Sequence, residues 1–487
     1  MAARVERVNV LLVTLDQFRA DCLSAAGHPL VETPNLDRLA ASGVRFANHF
    51  GQAAPCAPAR ASLYTGMYQM NHRVVANGTP LEHRFDNVAR LARRAGFAPA
   101  LFGYTDQGVD PSLVTDATDP RLDTYEGVLP GLDVGLLLDG RMVDWLAQLE
   151  SLGYGTMQAD QALATEPERP AEASASAYLS EALIDWIDRQ DSPWFAHASY
   201  LRPHPPYAAA GRWATRYALD DVGFPLAVDP GIHPLVDTAR TIPVCSAPTD
   251  PVAMAHLRSQ YFGMVSEVDD QFGRVLDHLE STGQDDDTLV VVTADHGEQL
   301  GDHGLIQKLG FYESTYAIPC IVRAPGCTAA KGRVVESFTE AVDLLPTIAN
   351  LLGQETPAQC DGSSLVPFLE GESPDHWRTS VHWEWDWRDM VMGPHRTSGG
   401  VDSRLERTNL AVERSDTDAY VQFADGSWLC FDLAADPGWH STTTEPAVVL
   451  PLAQSMLTWR STHLGGAYTQ QLLGPERRGL WSALRSA

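Results

Sequence analysis

Val8-Asn9-Val10-Leu11-Leu12-Val13-Thr14-Leu15, followed at once by Asp16-Gln17, is the stretch from which the fold is read. A nearly continuous apolar, β-favouring run with no polar alternation is the pattern of a strand buried on both faces. The residues just past its carboxyl end turn polar, and in open α/β sheets that edge is where ligands bind. Far downstream, Thr288-Leu289-Val290-Val291-Val292-Thr293 repeats the pattern and ends in Ala294-Asp295-His296-Gly297-Glu298. Two buried strands that each end in carboxylate or imidazole side chains point to a metal centre assembled across one sheet.

Working outward, Pro34 to Gly43 reads as a short helix with Thr33 as its cap and Gly43 as its stop. Pro251 to Ser281 carries Leu257, Tyr261, Met264, Val265, Val268, Phe272, Val275 and Leu279 on one stripe, the core face of a long helix that Gly283 ends. The stretch from Val109 to Arg240, rich in Pro, Gly, Asp and Ala, reads as loops over the site, with one helix near Ser176 to Arg189. After Asp375 the runs shorten and become β-like: Ser380 to Trp385, Leu410 to Glu413, and Ala419 to Ala424 joined through Asp425-Gly426 to Ser427 to Leu433. A helix from Ala447 to Thr462 follows. The expected organisation is a catalytic α/β domain over residues 1–375 and a small β-rich subdomain with a helix over 376–487.

The composition sets outer bounds. A chain of 487 residues with 44% hydrophobic and 20% charged residues is globular, which excludes a disordered or fibrous protein. With 35 Lys+Arg against 63 Asp+Glu and a formal charge of −28, it has no basic footprint for nucleic acid or an anionic membrane. One positive pocket for a small anion remains compatible with that balance. The Val8–Leu15 run is too short for a signal-peptide core, and no later segment reaches the roughly twenty apolar residues of a spanning helix. Seven cysteines, Cys22, Cys56, Cys245, Cys320, Cys327, Cys360 and Cys430, are scattered with no CxxC pair. That is neither a disulfide framework nor a thiolate zinc site, so a reduced, cytoplasmic protein is expected.

The most informative segment is Cys56-Ala57-Pro58-Ala59-Arg60-Ala61-Ser62-Leu63-Tyr64-Thr65-Gly66. A cysteine in a loop at a helix N-terminus beside Arg is a candidate reactive thiolate. A buried structural cysteine is the equal alternative. Cys-x-Pro-x-Arg followed by Thr-Gly resembles the signature of the type I sulfatases of the alkaline phosphatase superfamily, in which this cysteine becomes formylglycine. The resemblance extends through Arg202-Pro203-His204-Pro205-Pro206, Asp295-His296-Gly297-Glu298, Gly301-Asp302-His303-Gly304, Asp343-Leu344-Leu345-Pro346-Thr347 and Phe431-Asp432-Leu433. Asp16-Gln17, Asn71-His72-Arg73, Gly103-Tyr104-Thr105 and His382-Trp383-Glu384-Trp385-Asp386 are similar to the phosphonate monoester hydrolases and related cytoplasmic dimeric arylsulfatases.

The resemblance implies an alkaline-phosphatase-like α/β sandwich, a large mixed sheet between helices with a smaller C-terminal antiparallel sheet. It implies one divalent cation held by Asp16, Gln17, Asp295 and His296 with the oxygen derived from Cys56. An oxygen-rich shell with one imidazole suits Ca²⁺ or Mn²⁺ ahead of Mg²⁺. It further implies a hydrated formylglycine nucleophile, Arg60 offsetting its charge, His204 and Lys308 at the leaving-group and anion positions, and Asn77 and Tyr104 on the non-bridging oxygens. Implied partners are a small anionic ester, the formylglycine-generating enzyme during maturation and a second copy in a homodimer.

Two departures bear on the substrate. The Gly-Lys-Trp-His segment of ordinary sulfatases is missing after Cys56, and Asp106 stands where the phosphonate hydrolases have Thr. A site short of one lysine, with Asp106 nearby, disfavours dianions by Coulomb repulsion and selects monoanionic esters. The expected activity is an arylsulfatase with promiscuous phosphonate monoester and phosphodiester hydrolysis. The alternative is phosphonate monoester and phosphodiester hydrolysis as the main activity, and outside that class a binding protein whose Cys56 is never converted.

Overall fold

The strand Asn9–Leu15 lies inside a mixed eight-stranded sheet of the computed structural model, which describes residues 8–392, 404–465, 471–473 and 479–481. The spatial order is Arg333–Val335, Val44–Phe46, Cys320–Arg323, Thr288–Thr293, Asn9–Leu15, Phe195–Tyr200, Ala100–Gly103, Asp133–Leu137. All neighbours pair in parallel except Cys320–Arg323, which runs antiparallel to the strands on both sides of it. Asn9–Leu15 sits directly between Thr288–Thr293 and Phe195–Tyr200, with Thr14 opposite both Thr293 and Ser199. The two runs singled out in the sequence are therefore neighbours, and their carboxyl ends open on one edge of the sheet.

Side chains on both faces of these central strands are buried, so helices must cover both faces. Pro34–Ser42 and Ala175–Ile187 both pack on Pro251–Ser281, while Cys56–Thr65 packs with Val88–Arg94 and Leu344–Leu351. The long helix Pro251–Ser281 starts where Asp250 accepts a hydrogen bond from the Ala253 N–H, and its expected stripe is core. The short helix Pro34–Ser42 has the expected bounds but not the expected cap. Thr33 makes no side-chain cap; its hydroxyl accepts from Ser24 N–H, and Asp269 takes the Asn35 and Leu36 N–H groups instead. Gly43 is needed for close approach, because a Cβ there would meet the Val322 carbonyl oxygen at 2.5 Å.

One expectation is corrected outright. Val109 to Arg240 is not only loops over the site: Asp133–Leu137 and Phe195–Tyr200 are strands of the central sheet. Phe195-Ala196-His197-Ala198-Ser199-Tyr200 escapes a hydropathy reading because His197 and Ser199 sit inside a fully buried strand and satisfy polar partners there.

The second sheet holds Trp428–Asp432, Asp418–Phe423, Asn409–Ser415 and Ser380–Asp386 in antiparallel order, joined as expected through Asp425-Gly426. Its fifth strand, Ala53–Ala54, comes from the N-terminal part of the chain and pairs in parallel with Glu384 and Trp385. That strand leads directly to Cys56, so the C-terminal sheet helps to hold the front of the site. Helix Pro446–His463 lies against this sheet, with Met456 and Trp459 packed near Tyr68 and Met70.

Candidate active site

Cys56 is the first residue of the helix Cys56–Thr65, rather than part of a loop before it. Arg60 lies four residues on, one turn along the same face. Gly66 ends the helix in the left-handed region at φ 68°, and a Cβ there would meet Cys360 Sγ at 2.8 Å; the Thr-Gly of the segment is a steric requirement. Cys56 Sγ lies 3.2 Å from His296 Nε2. The opposite ring nitrogen, Nδ1, donates to the Gly297 carbonyl at 3.0 Å, which leaves Nε2 with its lone pair facing the cysteine.

The carboxylates of Asp16 and Asp295 complete the group, and ligand atoms of Asp16, Cys56, Asp295 and His296 all lie within 4.8 Å of one another. Arg60 ties the two carboxylates together: Nη2 donates to Asp16 Oδ2 and Nε to Asp295 Oδ2, each at 2.9 Å. Its Nη1 reaches the Tyr104 carbonyl and the Ser199 hydroxyl. Asp16 Oδ1 is buried without any hydrogen-bond partner among the described residues. A buried carboxylate oxygen left bare beside an imidazole lone pair and a second carboxylate is the donor arrangement of a cation site.

Gln17 stands at φ 66°, a strained left-handed position for a side-chain-bearing residue. The turn lets its N–H donate to Asp295 Oδ1 at 3.2 Å and its carbonyl accept from Tyr261 of the long helix at 2.7 Å. Its side-chain amide is pinned between Glu298, which accepts from Nε2, and Lys308, whose Nζ donates to Oε1 at 2.8 Å. Asp106 and Gln307 also have positive φ, so strained backbone gathers around this site.

Lys308 is buried rather than held in solvent at the surface. His204 is set by its own loop: the Arg202 guanidinium, paired with buried Glu166, donates to the His204 and Pro206 carbonyls. His204 Nδ1 donates to the Pro205 carbonyl at 2.8 Å, leaving Nε2 available. Tyr104 gives its hydroxyl proton to Asp16 Oδ2, and the Arg60 guanidinium lies 4.4 Å from its ring centre. Asn77 Oδ1 accepts from the Ala57 N–H at 2.9 Å, so this side chain caps the cysteine helix while also lining the cleft in front of it. Asp106 lies 3.5 Å from Arg60.

Electrostatics divide these groups. Burial would raise the Asp16 carboxyl, but His204 when protonated, Arg60 and Lys308 outweigh it and hold Asp16 well below the usual carboxylate range. Burial, then repulsion from Asp16, lifts Asp295 to about 7. Asp106 is likewise lifted to about 7, by burial first, against the pull of Arg60. Burial, then the Lys308 charge, pushes His204 and His296 down to about 3, so both imidazoles are neutral near pH 7. Burial opposes the Lys308 ammonium, but Cys56, Asp16 and Asp295 overcome it. The Cys56 thiol is pushed up, by burial and then by Asp16. The low-pKa thiolate open at the sequence level is therefore corrected: the helix N-terminus and Arg60 do not outweigh desolvation and the carboxylates.

In front of Lys308 and Asn77 lies a cleft of about 510 Å³, walled by Tyr125, Ile242, Leu309, Trp385 and Met390. Trp385 belongs to the C-terminal sheet, so the cleft lies where the two sheets meet. Sequence reasoning assigned no role to Ser199, Glu298 or Tyr207. Glu298 accepts from Gln17, Tyr207, Leu300 and Gln307 and so fixes the Gln17 amide. Its place in Asp295-His296-Gly297-Glu298 was the available signal. Ser199 carried none. Asp343 serves a capping box with Glu340 and an ion pair with Arg378, a structural role for its motif.

Residues 8–354 match the profile of the family described as Sulfatase, and residues 301–441 that of the N-sulphoglucosamine sulphohydrolase C-terminal region. The chain is 36% identical to the multifunctional alkaline phosphatase superfamily protein PehA of Trinickia caryophylli, over 96% of this chain and 98% of that one. It is 26% identical to an arylsulfatase of Clostridium perfringens, over 88% of each chain. Among solved structures, the phosphonate monoester hydrolase of Agrobacterium radiobacter superposes with a TM-score of 0.90 at 39% identity, covering 98% of this chain and 99% of that one.

Proposed function

The chain belongs to the sulfatase family and is a hydrolase of sulfate or phosphonate esters, and from that premise we propose that it cleaves monoanionic esters through Cys56. The observation that carries the reading is the placement of Cys56 at the head of a buried helix, 3.2 Å from His296 Nε2 and grouped with Asp16 and Asp295. Asp16, Asp295 and His296, with Gln17 beside them, would hold a divalent cation, Ca²⁺ or Mn²⁺ ahead of Mg²⁺, because the donors are oxygens with one imidazole. When present, that cation supplies Lewis-acid charge, and conversion of Cys56 to formylglycine supplies an oxygen nucleophile in place of the thiol.

The chain's own groups do the rest. Arg60 fixes both carboxylates and so acts on the geometry and charge of the ligands. Lys308 presents a buried ammonium to the non-bridging oxygens of the ester. His204, neutral at rest, oriented by Pro205 and partly open to solvent, takes a proton from water at Nε2, leaving hydroxide to the solvent, and passes it to the departing oxygen; such groups contribute about 10²–10⁴ in rate. Asn77 and Tyr104 line the approach to the reacting centre. The aromatic and aliphatic wall of the cleft takes an apolar, aryl-type leaving group and keeps water from it.

Phosphonate monoesters and phosphodiesters are the first reading, because the similarity to a phosphonate monoester hydrolase spans the full chain. Aryl sulfates are the second, since Asp106 stands where the resembling phosphonate hydrolases have Thr; its buried carboxyl penalises dianionic esters and admits either monoanion. Seven free cysteines with no disulfide support a reducing, cytoplasmic setting, and no described helix is long and apolar enough to cross a membrane. Maturation by a formylglycine-generating enzyme and a homodimer complete the proposal. The test is kcat/KM for one aryl leaving group presented as phosphonate monoester, phosphodiester, sulfate and phosphate monoester. The expected order places phosphonate first and the dianionic phosphate last; a preferred phosphate monoester overturns the monoanion reading.

A further inference from the structure

Behind the catalytic loop, the Gly301-Asp302-His303-Gly304 turn carries a second set of potential ligands that the hydrolysis does not use. Ligand atoms of Asp229, His303 and His440 lie within 4.8 Å of one another. His303 is 2% exposed, its Nδ1 has no partner among the described residues, and its ring stacks on Tyr312 at 3.7 Å and 5°. Its backbone is strained, at φ 54° and ψ 20°, a conformation retained only when the surroundings over-determine it. Here they do. His303 N–H donates to the Leu226 carbonyl, and Arg240 donates to the carbonyls of both His303 and Asp229. His440 is held from the other side, with its N–H on Asp436 Oδ2 at 2.8 Å and its ring Nδ1 against Asp229 Oδ2.

We propose that Asp229, His303 and His440 form a second metal site, for a borderline divalent transition ion of the Zn²⁺ class. Two imidazoles and one carboxylate select such an ion over Ca²⁺ or Mg²⁺, whose preferred donors are oxygens alone. A tetrahedral Zn²⁺ with bonds of about 2.0–2.1 Å holds its donors roughly 3.3 Å apart, so modest rotation of the half-exposed Asp229 and His440 side chains closes the shell on the fixed His303. The Asp229 and Asp302 carboxylates favour a cation there; Arg240 opposes it. A groove of about 390 Å³, lined by His303, Asp302, Tyr312 and Trp439, gives the ion an entry path and water for the fourth position. The bound ion ties two distant segments, around residues 229 and 440, to the His303 turn that follows the catalytic His296.

The test uses the full, tag-free chain stripped with a chelator and titrated with Zn²⁺, with Co²⁺ as a spectroscopic probe. Replacing His440→Ala or Asp229→Asn is expected to lower bound Zn²⁺ by one equivalent per chain and abolish the visible bands of a four-coordinate Co²⁺ site, with ester turnover retained. Asp16→Asn is expected to leave those bands intact. Zn²⁺ stoichiometry and Co²⁺ bands unchanged in both His440→Ala and Asp229→Asn overturn the site, as does their loss in Asp16→Asn alone. Both tested side chains are partly exposed; His440→Ala also removes a tilted ring contact with His303 at 5.2 Å, whereas Asp229→Asn keeps it, so the two variants together separate lost packing from lost metal.

Discussion

The two clusters of potential metal ligands are built by opposite means. Asp16, Asp295 and His296 follow two adjacent parallel strands of the central sheet, are buried, and carry their own countercharges in Arg60 and Lys308. Asp229, His303 and His440 come from loops and turns at the margin of the C-terminal sheet, and two of the three are partly exposed. Groups fixed by a sheet edge can be held in register without solvent, which is what stabilising charge in a reaction needs. Groups fixed by loops can serve a tether, where tolerance of movement matters less. The difference predicts that perturbing the first cluster removes chemistry, while perturbing the second changes stability or metal content.

The largest contrast is expected at Cys56. Cys56→Ala should lower kcat by about 10⁴-fold or more without lowering Tm, as for removal of a nucleophile. Peptide mass across Cys56 in protein from its native host separates thiol from aldehyde, and an unconverted thiol in an active enzyme rejects the formylglycine route. Next comes Arg60. Arg60→Ala leaves Asp16 and Asp295 buried together without their shared cation, so a loss of about 3–5 kcal/mol is expected in denaturant unfolding. A loss below about 1 kcal/mol would mean that water replaces the guanidinium.

Asp106 gives a smaller, pH-dependent effect. Its folded-state value, about 7, stands above the ordinary carboxylate value, so folding favours the protonated form. That contribution is present at acid pH and lost as pH rises through about 7. Asp106→Asn should therefore match the parent near pH 4 and exceed it in Tm by a few degrees, about the effect of one kcal/mol or more, at pH 8. A constant Tm difference across that range would show that Asp106 does not titrate. The smallest effect belongs to the second cluster. In metal-free protein, His440→Ala removes a partly exposed contact with Asp229 and a tilted ring contact with His303, and should cost about 1 kcal/mol.

Much of this architecture is legible in the chain because burial imposes composition. Asn9–Leu15 and Thr288–Thr293 had to be apolar throughout to lie between helices, and their polar ends had to mark the sheet edge. Phe195–Tyr200 was hidden for the converse reason. Ser199 and the Nε2 side of His197 find their partners in Arg60 and Thr14, and those partners are distant in sequence. Cys56 and Arg60 were visible as a spacing of one helical turn. That the guanidinium donates to Asp16, Asp295, Tyr104 and Ser199 depends on four strands meeting it, which no local pattern encodes.

The sequence by itself determined the catalytic candidates, the two strands that carry the carboxylates and His296, and the acidic character of the chain, since these rest on local composition and short spacings. Only the tertiary structure decided their electrostatic state. Desolvation and Asp16 raise the Cys56 thiol where the helix N-terminus and Arg60 suggested the reverse, because burial acts through the whole surrounding volume rather than through neighbours in the chain. The same holds for Asp229, His303 and His440. Nothing local links them; the turn, the stacked Tyr312 and the packing of the C-terminal sheet bring their ligand atoms within 4.8 Å.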